Sequence, residues 1–136
     1  MSVLSVYPIS RSRHKTRAAV AALRRAHIKV QLDWTKNEKR TYDAADAAIA
    51  IRDWAAAADA DITLMLWCDG MRGAWVEMGI ALQAGRRVWV VGAPDADYNI
   101  FFRVPAVRLF PSLGDAMHAI RMLDQDMSRW AARAVR

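Results

Sequence analysis

The sequence predicts a three-layer α/β/α domain: a doubly wound, five-stranded parallel sheet of flavodoxin-like order 2-1-3-4-5. Short apolar runs alternate with longer segments of helical spacing along the 136 residues. The run at 62–67 is apolar almost throughout, which is typical of a parallel strand covered on both faces. Right-handed crossovers favour the stated strand order, and the length suits one domain, residues 1–136.

Five strands and four helices are expected. The strands are predicted at Val3–Tyr7, Ile28–Trp34, Ile62–Trp67, Arg87–Val91 and Val107–Phe110. Three helices are predicted at about 12–27, 42–58 and 113–134, and a further helix is predicted to carry Glu77 in its first turn and to end at Gly85. We expect Pro8 to end the first strand, Ser12 to cap the first helix, and Gly85 to follow the end of the third. Residues 92–103 are predicted to form a loop.

The charge is uneven. The chain has 20 basic and 14 acidic residues, a net charge of +6, and residues 1–32 contain seven basic residues and no acid. Such a segment could bind nucleic acid, hold a phosphate-bearing small molecule, or form a solvated helix face. The sequence contains no recognition-helix, zinc-finger or stacking-aromatic pattern that would favour nucleic acid.

Other classes of protein find little support. No apolar run reaches the length of a membrane span, and the first ten residues lack the order of a signal peptide. The single cysteine, Cys68, fits a reducing compartment, so a cytoplasmic location is expected. The three histidines have no metal-ligand spacing and no nucleotide-binding glycine loop is present, so we expect neither metal nor cofactor.

The most informative stretch follows the third strand. Its only acid between residues 72 and 82 is Glu77, expected in the first turn of a helix, where the helix dipole favours a charged carboxylate. In the predicted order the loops 7–13 and 68–73 meet in one crevice, with Glu77 at its wall. Such a carboxylate can act as nucleophile or base, or stabilise an oxocarbenium ion beside an N-glycosidic bond. It could equally be a dipole complement or a cap.

The residues at 69–81, with Gly73, Glu77 and Gly79, resemble the signature of the nucleoside 2-deoxyribosyltransferase-like superfamily. In that family a Gly-small-x-x-Glu-x-Gly-x-Ala segment precedes a glycine turn into a strand, as residues 85–88 do here. Asp53 and the segment 99–110 are similar to further family features. The resemblance implies cleavage, by hydrolysis or base exchange, of the N-glycosidic bond of a nucleoside or nucleoside 5′-monophosphate, so the expected partner is a small molecule.

The resemblance also implies roles for individual residues. Glu77 would be the nucleophile, Asp53 would orient it or assist protonation of the base, and Tyr7 would lie beside it. The expected substrate-binding residues are Ser10, Arg11, Trp34, Asp69, Gly70, Arg72, Gly73 and Asn99. Trp34, Trp67 and Trp75 could stack on a base or belong to the core. The family's transferases carry a further acid near the position of Met71, so hydrolysis is favoured over exchange.

Three other functions remain open at this point: a nucleotide-sensing module of the same fold without turnover, an NAD-cleaving enzyme of the Toll/interleukin-1-receptor type, and a basic nucleic-acid-binding domain. A homo-oligomer is also expected. The second half of the last helix carries Met127 and Trp130 on an apolar stripe, which could form a dimer contact or a frayed tail.

Overall fold

The computed structural model of the chain describes residues 3–36 and 45–134. The strands are β1 (Ser5–Ile9), β2 (Lys29–Val30), β3 (Ile62–Leu66), β4 (Arg87–Val91) and β5 (Val107–Phe110). The helices are α1 (Arg13–Arg25), α2 (Ala45–Asp59), α3 (Gly73–Gln83) and α4 (Leu113–Ala134). Two short 3-10 turns, Trp34–Lys36 and Ile100–Arg103, complete the elements.

The sheet is parallel throughout and its order is β2-β1-β3-β4-β5, which confirms the predicted fold class. β3 lies at the centre, and Thr63 pairs with Tyr7 of β1 on one side and Val88 of β4 on the other. The strand order reverses between β1 and β3. The connections that follow β1 and β3 therefore run to opposite faces of the sheet. A crevice is expected between them, at the carboxyl ends of the two strands.

Two apolar clusters fill the spaces between the sheet and its helices. One joins Tyr7, Met65 and Val90 to α2 and α3, and the other joins Leu64 and Trp89 to α1 and α4. Successive residues of a strand point to opposite faces, so both faces of β3 need apolar side chains. All five residues of β3 are buried, which accounts for the continuous apolar run in the sequence.

Two predicted helix boundaries are confirmed. The Ser12 hydroxyl accepts a hydrogen bond from the Lys15 backbone N–H at 3.2 Å and caps α1. Gly85 follows the C-cap of α3 with φ +75°, a left-handed conformation that glycine adopts without steric cost. Tyr42, where the second helix was expected to begin, lies outside the described residues.

The predicted end of the first strand at Pro8 is wrong. β1 continues to Ile9, and Pro8 pairs with Leu64 of β3. The Val6 carbonyl accepts a hydrogen bond from the Gln31 N–H at 2.8 Å, so the backbone polar groups of Val6 face β2. The backbone nitrogen of Pro8, two residues further along, points to the same side of β1 as these groups. On that side β2 has already ended at Val30. Proline therefore removes no hydrogen bond from the ladder.

The second strand was predicted too long. It covers only Lys29–Val30, and Trp34 lies in a 3-10 turn instead of a strand. The Asp33 carboxylate accepts a hydrogen bond from the Thr35 N–H at 3.1 Å, which turns the chain locally and ends the edge strand early. The loop predicted at 92–103 likewise contains a 3-10 turn, Ile100–Arg103.

The last helix, α4, has 22 residues and packs on the sheet through its first half, where Ala116, Met117 and Ile120 are buried. Met127 is half-buried against this cluster, whereas Trp130 is 75% exposed. None of the helices in the described part of the chain is long and apolar enough to span a membrane.

Candidate active site

A cavity of about 450 Å³ opens at the carboxyl ends of β1 and β3, between α2 and α3. Its size is within the range of small-molecule sites, and its position is the one expected from the reversal of strand order. The residues that line it are Tyr7, Ile9, Ser10, Arg11, Trp34, Asp53, Gly70, Met71, Arg72, Gly73, Ala74 and Glu77.

Three polar side chains from three elements meet at this cavity: Tyr7 from β1, Asp53 from α2 and Glu77 from α3. Tyr7 is 1% exposed, and its hydroxyl is hydrogen-bonded to the Glu77 carboxylate. Burial raises the pKa of Tyr7 far above its usual value, and the charges of Glu77 and Asp53 raise it further. Tyr7 is therefore a neutral hydrogen-bond donor to the carboxylate at physiological pH.

The prediction that Glu77 lies in the first turn of its helix is wrong. α3 begins at Gly73, so Glu77 is its fifth residue. Its carboxylate nevertheless reaches back toward the N-terminus, as helical side chains do: Oε1 lies 4.0 Å from the point where a Cβ at Gly73 would be. The carboxylate therefore remains close to the positive end of the helix dipole. Oε2 of Glu77 and Oδ1 of Asp53 are both buried.

The mouth of the cavity is formed by two loops in close contact. Gly70 has φ +74°, and Nη1 of Arg11 lies where a Cβ at Gly70 would be. Ser10 Oγ accepts a hydrogen bond from the Ser12 N–H at 3.0 Å and lies 3.5 Å from Cys68 Sγ. The glycine thus allows the guanidinium of one loop to rest against the backbone of the other.

Two cations stand at this mouth. Arg11 and Arg72 both line the cavity and are exposed. Within residues 3–36 and 45–134 neither forms an ion pair. Arg13, from the same basic loop, is used differently: it donates a hydrogen bond to the Thr35 carbonyl at 2.7 Å and lies over the Trp34 ring at 5.5 Å. Among the described residues that line the cavity, Arg11 and Arg72 are therefore the cations available to an anionic ligand.

The three tryptophans that could stack on a base lie in two different places. Trp34 lines the cavity, with Arg13 on its ring. Trp67 and Trp75 pack edge to face at 5.8 Å, and Trp75 also contacts Phe102 with a centroid distance of 6.0 Å. These two rings belong to an aromatic cluster with Tyr98 and do not line the cavity. Of the three, only Trp34 is available to a ligand there.

Nine of the eleven predicted site residues line this one cavity; Asp69 and Asn99 do not. Asp69 is exposed outside it. The Asn99 carboxamide accepts a hydrogen bond from the Phe101 N–H at 2.9 Å and caps the second 3-10 turn, so it serves the local backbone. Two further lining residues are not predictable from the sequence: Ile9, because Pro8 indicates the end of β1 before it, and Ala74, whose apolar character carries no functional signal.

Across the described residues, no group of three or more His, Cys, Asp or Glu side chains is arranged to hold a metal ion. Among the described residues that line the cavity, the acids are Asp53 and Glu77, and each comes from a different helix.

No protein-family model matches the sequence, and no curated protein sequence matches it. Among solved structures, the chain is similar to BcmB, a CMP N-glycosidase from Clostridium botulinum, with a TM-score of 0.56. The two share 14% sequence identity over 85% of this chain and 97% of that chain. At this identity the likeness is one of fold. The chain therefore has the fold of a nucleotide N-glycosidase over most of its length.

Proposed function

We propose that this protein is a member of the nucleoside 2-deoxyribosyltransferase-like superfamily and cleaves the N-glycosidic bond of a nucleoside 5′-monophosphate by hydrolysis. The observation that carries the proposal is the meeting of Tyr7, Asp53 and Glu77 in one cavity with two cations at its mouth. The shared fold with a CMP N-glycosidase supports the same substrate class.

Glu77 is the proposed nucleophile. Its carboxylate oxygen forms a bond to C1′ while the C1′–N bond breaks, and the bonding electrons leave with the base, which gains a proton. Water then attacks C1′, the glycosyl–oxygen bond breaks, and the carboxylate is regenerated as the water gives up a proton. The carboxylate charge also stabilises the oxocarbenium character of both transition states. The proximity of the dipole of α3 favours the ionised form that attack requires.

Tyr7 and Asp53 have supporting roles in this scheme. The Tyr7 hydroxyl donates to the Glu77 carboxylate and fixes its direction, which matters because attack depends on alignment with C1′. Asp53 either orients the nucleophile or delivers the proton that the departing base requires. Both side chains come from regular elements, β1 and α2, so their positions are held by the packing of the fold.

The remaining residues of the cavity suit the other parts of a nucleotide. Arg11 and Arg72 can neutralise a 5′-phosphate at the mouth, and the absence of a side chain at Gly73 allows close approach of the ligand. Trp34 offers an aromatic surface to the base. An electrically neutral nucleoside would leave both guanidinium groups without an anion, which is why we prefer the monophosphate.

Direct measurement of released base tests the proposal. The protein is incubated with ribo- and deoxyribonucleosides and their 5′-monophosphates, and free base is quantified by chromatography. We expect release from at least one monophosphate, and its loss in Glu77→Gln, which keeps the shape of the side chain but removes the nucleophile. Equal release by wild type and Glu77→Gln would contradict the assigned role.

A sensing module that binds a nucleotide without cleaving it is the second candidate. Met71 favours it: this buried residue lines the cavity where the family's transferases carry an additional acid. The same Met71 argues against base exchange. A nucleotide that raises the melting temperature, with no base released over hours at saturating ligand, would select the sensor.

A further inference from the structure

A second, basic groove lies on the outer side of the molecule, between α1 and the turn Trp34–Lys36. Its volume is about 500 Å³. Among the described residues, none lines both this groove and the active-site cavity, so the two are separate. We call it the α1 groove. Its walls are formed by Arg17, Ala21, Arg24, Asp33, Thr35 and Lys36.

Three cations converge on the α1 groove. Arg17 and Arg24 are two turns apart on α1, so both project from the same side of the helix. Ala21 lies between them and adds only a methyl group, which leaves the space between the two guanidinium groups open. Lys36 lines the groove from the turn. Because α1 contains no acidic residue, no neighbour on the helix neutralises its arginines.

The acid among the described residues that line the groove is Asp33, and it is already engaged. Its carboxylate accepts hydrogen bonds from the Thr35 N–H at 3.1 Å and the Thr35 hydroxyl at 2.5 Å, and it lies 3.9 Å from Nη1 of Arg24. Within residues 3–36 and 45–134, Arg17 and Lys36 form no ion pair. Their charges, with the exposed half of the Arg24 side chain, remain available to an anion.

We propose that the α1 groove binds a small molecule that carries two or three linked phosphates, such as a nucleoside triphosphate. At a rise of 1.5 Å per residue, Arg17 and Arg24 are separated by about 10 Å along the axis of α1. A single phosphate beside one arginine leaves the other without an anion. A chain of linked phosphates extends along both and also contacts Lys36. The volume of the groove is within the range of small-molecule sites.

A nucleic-acid strand is the alternative polyanion. Proteins that bind single strands combine a basic groove with aromatic side chains on which the bases stack. None of the described residues that line the α1 groove is aromatic, and the neighbouring Trp34 lines the active-site cavity instead. The composition of the groove therefore favours a small oligophosphate over a nucleic acid.

The turn Trp34–Lys36 connects the α1 groove to the active-site cavity. Trp34 lines the cavity, whereas Thr35 and Lys36, which follow it directly, line the groove. Arg13 holds the turn against α1, because it donates a hydrogen bond to the Thr35 carbonyl at 2.7 Å and lies over the Trp34 ring. A phosphate chain in contact with Lys36 acts on this turn, so we expect the environment of the Trp34 indole to change when the groove is occupied.

Binding of inorganic tripolyphosphate tests the site, because this probe supplies linked phosphates and has no base that could enter the cavity. Affinity is measured by calorimetry at an ionic strength of about 0.15 M, where distant charges are screened. Arg17→Ala and Lys36→Ala each remove one cation of the groove. Arg25→Ala is the matched control, because Arg25 is an exposed arginine of α1 that does not line the groove. Arg11→Ala removes a cation from the cavity mouth instead.

We expect tripolyphosphate to bind at least about 10-fold more tightly than orthophosphate. Its affinity should fall about 10- to 100-fold in Arg17→Ala and in Lys36→Ala, because each variant loses hydrogen bonds to a charged group. Binding should change little in Arg25→Ala and should persist in Arg11→Ala. Absence of binding to wild type, a loss confined to Arg11→Ala, or an equal loss in Arg25→Ala would each overturn the proposal; the second would place the anion in the cavity.

Tryptophan fluorescence tests the connection to the cavity. The difference in emission between two proteins, with and without Trp34→Phe, isolates the signal of Trp34. Both proteins also carry Arg11→Ala, so that the probe is not held at the cavity mouth. Saturating tripolyphosphate should change this difference, and an unchanged difference would overturn the connection through the turn.

Competition identifies the class of ligand. A nucleoside triphosphate should displace tripolyphosphate from wild type, and tighter binding than that of the probe would show that the organic part is also recognised. A single-stranded oligonucleotide that binds more tightly than either compound would overturn the assignment to a small molecule. None of these measurements depends on release of a base, so their outcome is independent of the proposed glycosidase activity.

Discussion

The hydroxyl of Tyr7, on the central part of the sheet, is hydrogen-bonded to the carboxylate of Glu77, on the helix that covers it. This bond links the strand end to the helix across the floor of the cavity. The sequence separates the two residues by 70 positions, and only the parallel crossover brings them together. The proposed chemistry depends on this pair, because the tyrosine fixes the direction of the carboxylate.

Tyr7→Phe removes the hydrogen bond and keeps the ring. We expect kcat to fall about 10- to 100-fold, since a hydrogen bond to a charged group contributes roughly 1.5–3 kcal/mol, and KM to change little. Steady-state kinetics on the preferred monophosphate provide the measurement. Ile120→Val, a buried change in α4 on the opposite face of the sheet from the cavity, is the control for general effects on packing. An unchanged kcat would show that Tyr7 does not position the nucleophile.

The raised pKa of Tyr7 predicts how stability depends on alkaline pH. In the unfolded chain tyrosine loses its proton near pH 10, whereas the folded protein retains the proton of Tyr7 well above that pH. The folded state then binds more protons, so the free energy of unfolding falls as the pH rises above about 10, by up to ~1.4 kcal/mol per pH unit. Urea unfolding of wild type and Tyr7→Phe between pH 8 and 11 measures the effect. The stability difference should be constant below pH 10 and should shift against wild type above it; parallel curves would contradict the burial of Tyr7 beside the two carboxylates.

Arg11→Ala tests the preference for a phosphate. Loss of a charge-assisted contact should raise KM for a 5′-monophosphate about 10- to 100-fold and leave KM for the corresponding nucleoside nearly unchanged. Arg25→Ala is the matched control, because Arg25 is an exposed arginine of α1 that does not line the cavity. If both substrates weakened equally, Arg11 would act through the shape of the loop at Gly70 and not through a phosphate.

Asp53→Asn distinguishes between the two roles left open for this acid. If Asp53 protonates the base, the rate should fall about 10²- to 10⁴-fold with ordinary bases and recover with a base that leaves without protonation. If it only orients Glu77, both kinds of substrate should lose the same factor. The ratio of kcat values for the two leaving groups, measured in wild type and variant, gives the answer. If the variant kept full activity on both kinds of substrate, both proposed roles of Asp53 would be excluded.

The fold could be predicted from the sequence because the features that indicate it are local. The apolar run at Ile62–Leu66 indicated a strand buried on both faces, and Gly85 marked the end of the helix before β4. The crossover rule then gave the strand order without knowledge of any contact. The motif around Glu77 also indicated the position of the cavity, because the motif follows directly after β3, a central strand.

The errors have physical causes that the sequence does not display. Pro8 remains in its strand because β2 has already ended on that side, which depends on the length of a neighbouring strand. The 3-10 turn at Ile100–Arg103, which the Asn99 carboxamide caps, was predicted as part of a loop because it has no periodicity that would indicate it. Glu77 lies one turn deeper in its helix than expected, and its carboxylate returns to the N-terminus only through its side-chain conformation.

The most direct test of the central claim is to find the sugar attached to Glu77. Wild type is mixed with a 2′-fluorinated nucleotide whose base leaves readily, so that the glycosyl–enzyme forms faster than it is hydrolysed, then quenched in acid and digested with trypsin. Cleavage after Arg72 and Arg86 yields the peptide 73–86, in which Glu77 is the only carboxylate side chain. We predict that this peptide gains the mass of one fluorinated sugar phosphate. Base release with the sugar on the Asp53-containing peptide 53–72, or on no peptide at all, would contradict Glu77 as the nucleophile.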